Sequence, residues 1–150
     1  MNSPARHVSG PFDVKVTHQD DSFGDPLLNR MTLDKQYHGG LEATGIGQML
    51  TAGTEIKGSG AYVAIEKVTG TLEGKKGTFI LQHAGTMTRD VPQLTIVVVP
   101  DSGTGDLEGI SGKMKIKFAK AASTSTNWTT HWRKAIEQLS NLDRTQSATI

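Results

Sequence analysis

From Phe12 onward the chain alternates apolar and polar residues with a period of two. "FDVKVTH" (12–18) has the pattern of a half-buried strand. "RMTLDKQYHG" (30–39) and "LEATGIGQMLTAGT" (41–54) predict a second and a third strand. The third is expected to kink at Gly45 and Gly47, because glycine inside a strand often marks a bulge or a barrel bend. "AYVAIEKVTGTL" (61–72), "TFILQHAGTMTRD" (78–90), "QLTIVVVP" (93–100) and "KMKIKFA" (113–119) predict four more. The sixth is so apolar that both of its faces should be covered. "SFGDPLLN", "EGKKG" and the Gly-rich "DSGTGDLEGISG" punctuate these runs as loops and turns. Regularly spaced strands with turns between them predict an all-β antiparallel sheet. A meander that closes on itself leaves no exposed edges, so the expected form is an up-and-down β-barrel of about seven or eight strands.

The period changes at the C-terminal end. Trp128, Trp132, Ala135, Ile136, Leu139 and Leu142 fall at helical spacing, with Thr126 or Asn127 available as a cap. The chain therefore divides into a disordered tail (1–10), a barrel domain (11–119) and an atypical C-terminal segment (120–150) with a short helix at about 127–142.

Composition narrows the function classes. Among 150 residues, 16 Lys and Arg oppose 15 Asp and Glu, for a net charge of +1. That balance gives no electrostatic footprint for nucleic acid or an anionic membrane. Aromatic residues make up 5%, too few for a base-stacking platform. The absence of Cys removes disulfides, thiol nucleophiles and thiolate metal sites. "MNSPARHVSG" has no apolar signal-peptide core, and no run reaches the ~18 apolar residues of a membrane helix. The expectation is a soluble cytoplasmic protein.

Three longer stretches carry a resemblance. "RMTLDKQYHGGLEATGIGQMLTAGT", "GSGAYVAIEKVTGTLEGKKGTFILQHAGTMTR" and "LTIVVVPDSGTGDLEGISGKM" resemble the bacterial domain-of-unknown-function family 3224, from about Phe12 to Lys117. The resemblance implies an antiparallel barrel similar to allene oxide cyclase and lipocalin-like barrels, and it implies no settled activity. The family usually ends in a strand of the type "KH-x-Y-x-L/F-x-Y-T-L", where this chain has "AASTSTNWTTHWRK". Combining the last base of each codon with the first two of the next, Asn127-Trp128 must encode Leu, Trp128-Thr129 Asp and His131-Trp132 Leu. The free third positions permit "KHQYELDYTL" across Ala122 to Trp132. A frameshift near Lys120–Ala122 is therefore expected, against the alternative of a native variant with a C-terminal helix.

Candidate chemistry gathers in the strands. His38, Glu42, Glu66 and His83, with Tyr62 and Gln82 beside them, are polar groups that a lumen could collect. A carboxylate near a histidine can do acid–base work in a dry pocket, so Glu66 and His83 are the catalytic candidates. All six are candidate ligand contacts. Parity places Tyr62, Ala64, Glu66 and Val68 on one face of their strand. On the next, Phe79, Leu81, His83 and Met87 share a face and Gln82 takes the other. A solvated strand face is the blander explanation for each. Lys35, Arg89 and Asp90 at strand ends are expected to be solvated. His38 and His83 with a carboxylate do not match a metal-ligand spacing, so no metal and no cofactor is expected. "GTGDLEG" lacks the Lys-Ser/Thr of a P-loop and reads as a turn.

Three functions compete. The first is a binding module with a small hydrophobic molecule in its lumen. The second is a cyclase or isomerase on a hydrophobic substrate. The third is a non-catalytic barrel that forms a homo-oligomer through its outer face.

Overall fold

The computed structural model describes residues 5–20 and 24–117, and the backbone of 126–133. Eight antiparallel strands follow one another around a closed barrel in chain order. They are β1 (Arg6–Gln19), β2 (Leu28–Tyr37), β3 (Leu41–Gly53), β4 (Gly60–Leu72), β5 (Lys75–Thr88), β6 (Val91–Val98), β7 (Ser111–Lys117) and β8 (Thr126–Arg133). A single turn of 3₁₀ helix, Gly105–Leu107, lies between β6 and β7. Each strand pairs with its successor, and β8 returns to β1, with Arg6 opposite Trp132 and Phe12 opposite Thr126.

Three expectations change. Residues 6–10 are not tail, because β1 begins at Arg6 and pairs there with β8. Residues 127–133 are not helix but the closing strand, and 134–142 lie outside the described residues. A spacing of four suits a period of two as well as one of 3.6. Thr and Trp favour strands, and pairing with both β7 and β1 settles the outcome. Nor does β3 bulge at its glycines: Leu33 faces Gly47 and Lys35 faces Gly45 in unbroken register.

The two ends of the barrel differ. At one end lie the β2–β3 and β4–β5 turns, and a core of Val8, Phe12, Leu41, Val68, Leu72 and Phe79 fills the lumen. The β6–β7 connection folds over that end and buries Leu107 and Ile110 as a plug. It also serves as a substitute strand for the part of β5 that extends past β6. Thr104 Oγ1 accepts from the Thr78 amide at 3.0 Å, and Ser102 Oγ from the Ile80 amide at 3.0 Å. Without these partners the β5 amides would face an open edge.

At the opposite end lie the β1–β2, β3–β4 and β5–β6 connections. Here inward residues keep much of their surface. Val14 and Val16 share a strand face with buried Phe12 and pair with the inward Lys35 and Leu33, yet they are 40% and 46% exposed. Met87, on the face of Leu81 and His83, is 42% exposed. Among the described residues the barrel is thus a cup, plugged below and open above. Among the described residues the β6–β7 seam is the thinnest, with Ile96–Met114 and Val97–Lys113 paired.

Candidate functional site

At mid-height the lumen changes from apolar to charged. Glu66 on β4 is fully buried (0%), as nearly are His83 on β5 (2%) and Lys35 on β2 (5%). The Glu66 carboxylate accepts three side-chain hydrogen bonds. Tyr37 donates its hydroxyl to Oε1 at 2.6 Å. Lys35 Nζ donates to Oε2 at 2.8 Å, and His83 Nε2 meets the same oxygen at 3.0 Å. A carboxylate can only accept, so His83 carries its proton on Nε2.

β3 makes this contact geometrically possible. It separates β4 from β2, and at the crossing it presents Gly45 and Gly47, which have no side chains. A Cβ at Gly45 would collide with Glu66 Oε1 and crowd the Tyr37 ring. At Gly47 it would run into the β4 backbone at Ile65 and Glu66. The glycines therefore clear a channel through which Glu66 reaches across a strand to β2. On its other side Glu66 meets His83 diagonally, since His83 pairs with Ala64.

Electrostatics follow from the partners. Burial pushes the Glu66 carboxyl up, but the His83 hydrogen bond, the Lys35 charge and hydrogen bond, and the Tyr37 hydrogen bond outweigh it and hold the group at about 2. Burial first, then the Glu66 charge and hydrogen bond, raises the Tyr37 hydroxyl far above its ordinary range, so it stays a donor. Burial and then the Glu66 charge also raise Tyr62. Lys35 Nζ lies 5.2 Å from the centroid of Phe12 and 5.7 Å from that of Tyr37, which gives the ammonium two π faces on its apolar side.

Tyr62 lies four residues from Glu66 on the same face, nearer the open end, and its ring covers Gly85. Around it a cleft of about 350 Å³ opens, with Met49, Thr51, Met87 and Leu94 on its lumen side. That volume is at the lower end of small-ligand sites, roughly 300–1,000 Å³.

Of the sequence candidates, the structure joins Glu66, His83 and Tyr62 and sets the other three apart. Gln82 is exposed on the outer face, opposite Ile65. His38 and Glu42 lie outside the lumen at the plugged end. Glu42 accepts from the Gly39 amide at 2.7 Å, and His38 faces Asp13 at 3.3 Å, both as exposed contacts. Lys35, expected to be solvated, is instead buried against Glu66. Its position signalled this, because Leu33, Lys35 and Tyr37 share the parity of an inward face. Among the described residues no group of three His, Cys, Asp or Glu could hold a metal ion. No helix among them is long and apolar enough to cross a membrane.

A family model described as "Protein of unknown function (DUF3224)" matches residues 8–129. The chain belongs to the DUF3224 family. A solved structure of a family member from Shewanella oneidensis MR-1, a protein with unknown function, is similar in sequence and shape. It is 41% identical, the match covers 87% of this chain and 98% of that one, and the TM-score is 0.79. No curated protein matches the chain. Family membership thus supports the barrel and leaves the chemistry to be argued from the site.

Proposed function

We propose that this DUF3224 barrel is a binding module that takes a small, largely apolar molecule into its lumen through the open end. The observation that carries the reading is the exposure of Val14, Val16 and Met87 on inward strand faces. Apolar surface left open in a concave site, above a few convergent polar groups, is the usual make-up of a ligand pocket. The polar groups here are Tyr62 at the rim and Lys35 and His83 on the floor.

Binding fits the site better than acid–base catalysis by Glu66. A carboxyl held at about 2 is a feeble base near neutral pH, where useful catalytic groups titrate. Its three hydrogen bonds make it an anchor for Lys35 and His83. The test is a titration with an environment-sensitive apolar dye. One dye per chain should bind to the protein, and Val16→Trp, which fills the mouth, should abolish binding while thermal unfolding stays cooperative. Absence of binding, or undiminished binding in Val16→Trp, would refute the reading.

A second reading rests on the outer face. Ile46 and Leu50 on β3 and Val63 and Ile65 on β4 are exposed there as neighbours. Asp34, Ile46 and Lys67 form one cross-strand row. A two-fold axis along β3 would lay Asp34 of one copy over Lys67 of a second, so the occupant we assign is another copy of the chain. Sedimentation should then show a dimer that Val63→Lys dissociates; a monomer at all concentrations would exclude it.

A further inference from the structure

We infer that the lumen selects apolar molecules carrying an uncharged oxygen acceptor, such as a ketone, an aldehyde or an ester, over carboxylates and amines. This rests on the lumen-binding reading and adds the head group.

An inventory of donors and acceptors on the floor leads there. The Glu66 carboxylate already accepts from Tyr37, Lys35 and His83, at 2.6, 2.8 and 3.0 Å. With about four acceptor positions in all, it has little left for a ligand. A ligand amine would find its natural partner occupied. The donors, by contrast, are not used up. Lys35 has three N–H groups. One goes to Glu66, and a second points at the Tyr37 hydroxyl over a long 3.4 Å. Among the described residues no oxygen takes the third, and the rings of Phe12 and Tyr37 flank the ammonium. The Tyr62 hydroxyl has no hydrogen-bond partner among the described residues either. It lies on the same inward face, and the open cleft adjoins it. The Tyr62 hydroxyl therefore meets a cleft that Met49, Met87 and Leu94 help to line, and the spare Lys35 donor lies buried on the same inward side; both call for an acceptor.

Charge decides which acceptor. Lys35 and Glu66 cancel across 2.8 Å, and the two tyrosines are neutral donors. A carboxylate entering this site would give up its hydration and meet no net positive charge, with Glu66 close by. A ketone oxygen presents equivalent lone pairs at a far smaller desolvation cost. His83 needs only the proton on Nε2 to bind Glu66. A second proton, on Nδ1, would make the floor cationic and reverse the choice.

The experiment is displacement of the bound apolar dye at pH 7.5 by four probes of equal chain length: 2-octanone, octanoate, octylamine and octane. We expect 2-octanone to compete roughly tenfold or more better than octane, the scale of one hydrogen bond to a charged donor, and better than both ions. Tyr62→Phe, a change at the rim that leaves the buried network intact, should narrow the gap between ketone and octane several-fold. Equal competition by 2-octanone and octane would overturn the head-group inference and leave lumen binding standing. Octanoate as the best competitor would also overturn it, in favour of a floor made cationic by His83. Failure of the dye itself to bind would bring down the binding reading.

Discussion

Replacing Glu66 by Gln keeps the volume and removes one charge, and its cost can be worked out from the structure in two ways. Glu66 and Lys35 form an ion pair at 2.8 Å with side chains 0% and 5% exposed. Removing one partner of such a pair leaves a buried uncompensated charge, which costs about 3–5 kcal/mol. The second route uses the carboxyl itself. Held at about 2 against an ordinary 4.5, it differs between folded and unfolded chains by 2.5 units, which at ~1.36 kcal/mol per unit is about 3 kcal/mol. The two agree, and the second fixes the pH window. Because the folded value is depressed, the stabilisation is complete above about 4.5 and drains away as the pH falls towards 2. Urea unfolding at pH 7 should therefore show Glu66→Gln less stable by about 3 kcal/mol, and the gap should close between pH 4.5 and pH 2. The double variant Lys35→Met with Glu66→Leu, which removes both charges, should recover most of the loss. A cost below ~1 kcal/mol at pH 7, or a gap that does not change with pH, would refute the account of Glu66 as an ionised anchor.

Two further outcomes are expected. Gly45→Ala should cost about 1–3 kcal/mol by overpacking, because its Cβ would displace the Glu66 carboxylate from Tyr37; an NMR spectrum with an unshifted His83 ring would contradict this. If residues 122–132 arise from a frameshift, the DNA across Ala119 to Arg133 should spell "KHQYELDYTL" in the shifted frame, and a chain with that ending should melt higher than this one. Equal melting temperatures and equal oligomer sizes would remove the frameshift's physical consequence.

Much of the barrel was legible because period-two alternation is a direct imprint of a two-faced sheet. All seven strands expected before Lys120 are present, and the parity of Tyr62–Glu66 and Leu81–His83 correctly put these residues on shared faces. What parity cannot convey is how strands are staggered around a cylinder. The meeting of Glu66 with Lys35 depends on the empty positions Gly45 and Gly47 between them, and a glycine reads equally as a bulge, a bend or a gap. His38 and Glu42 were misplaced for separate reasons. His38 sits in the β2–β3 turn, where alternation ends, whereas Glu42 alternates with buried Leu41 and Ala43 inside β3, so counting from those two would have placed it on the outer face. The β6–β7 connection hid its role as well. "DSGTGDLEGISG" reads as a plain turn, and the plug depends on Leu107 and Ile110 within it. In β8, Trp128 and Trp132 satisfied a helical period by a spacing that a strand shares.

The cyclic order of the strands bears on how the molecule assembles. Seven of its eight pairings join strands adjacent in sequence, and the eighth joins β1 to β8. The hairpins can form locally, within roughly microseconds. The ring itself closes only when Phe12 finds Thr126 across almost the whole barrel, so that step carries the loop-closure entropy. The position of that step is a property of the gene, not of the barrel. Opening the chain at the tight turn Glu73–Gly74 and joining β8 to β1 by a short linker would make β1–β8 a local hairpin and leave β4–β5 as the last pair to meet. Such a circular permutant would reach the same eight-strand ring along a different route.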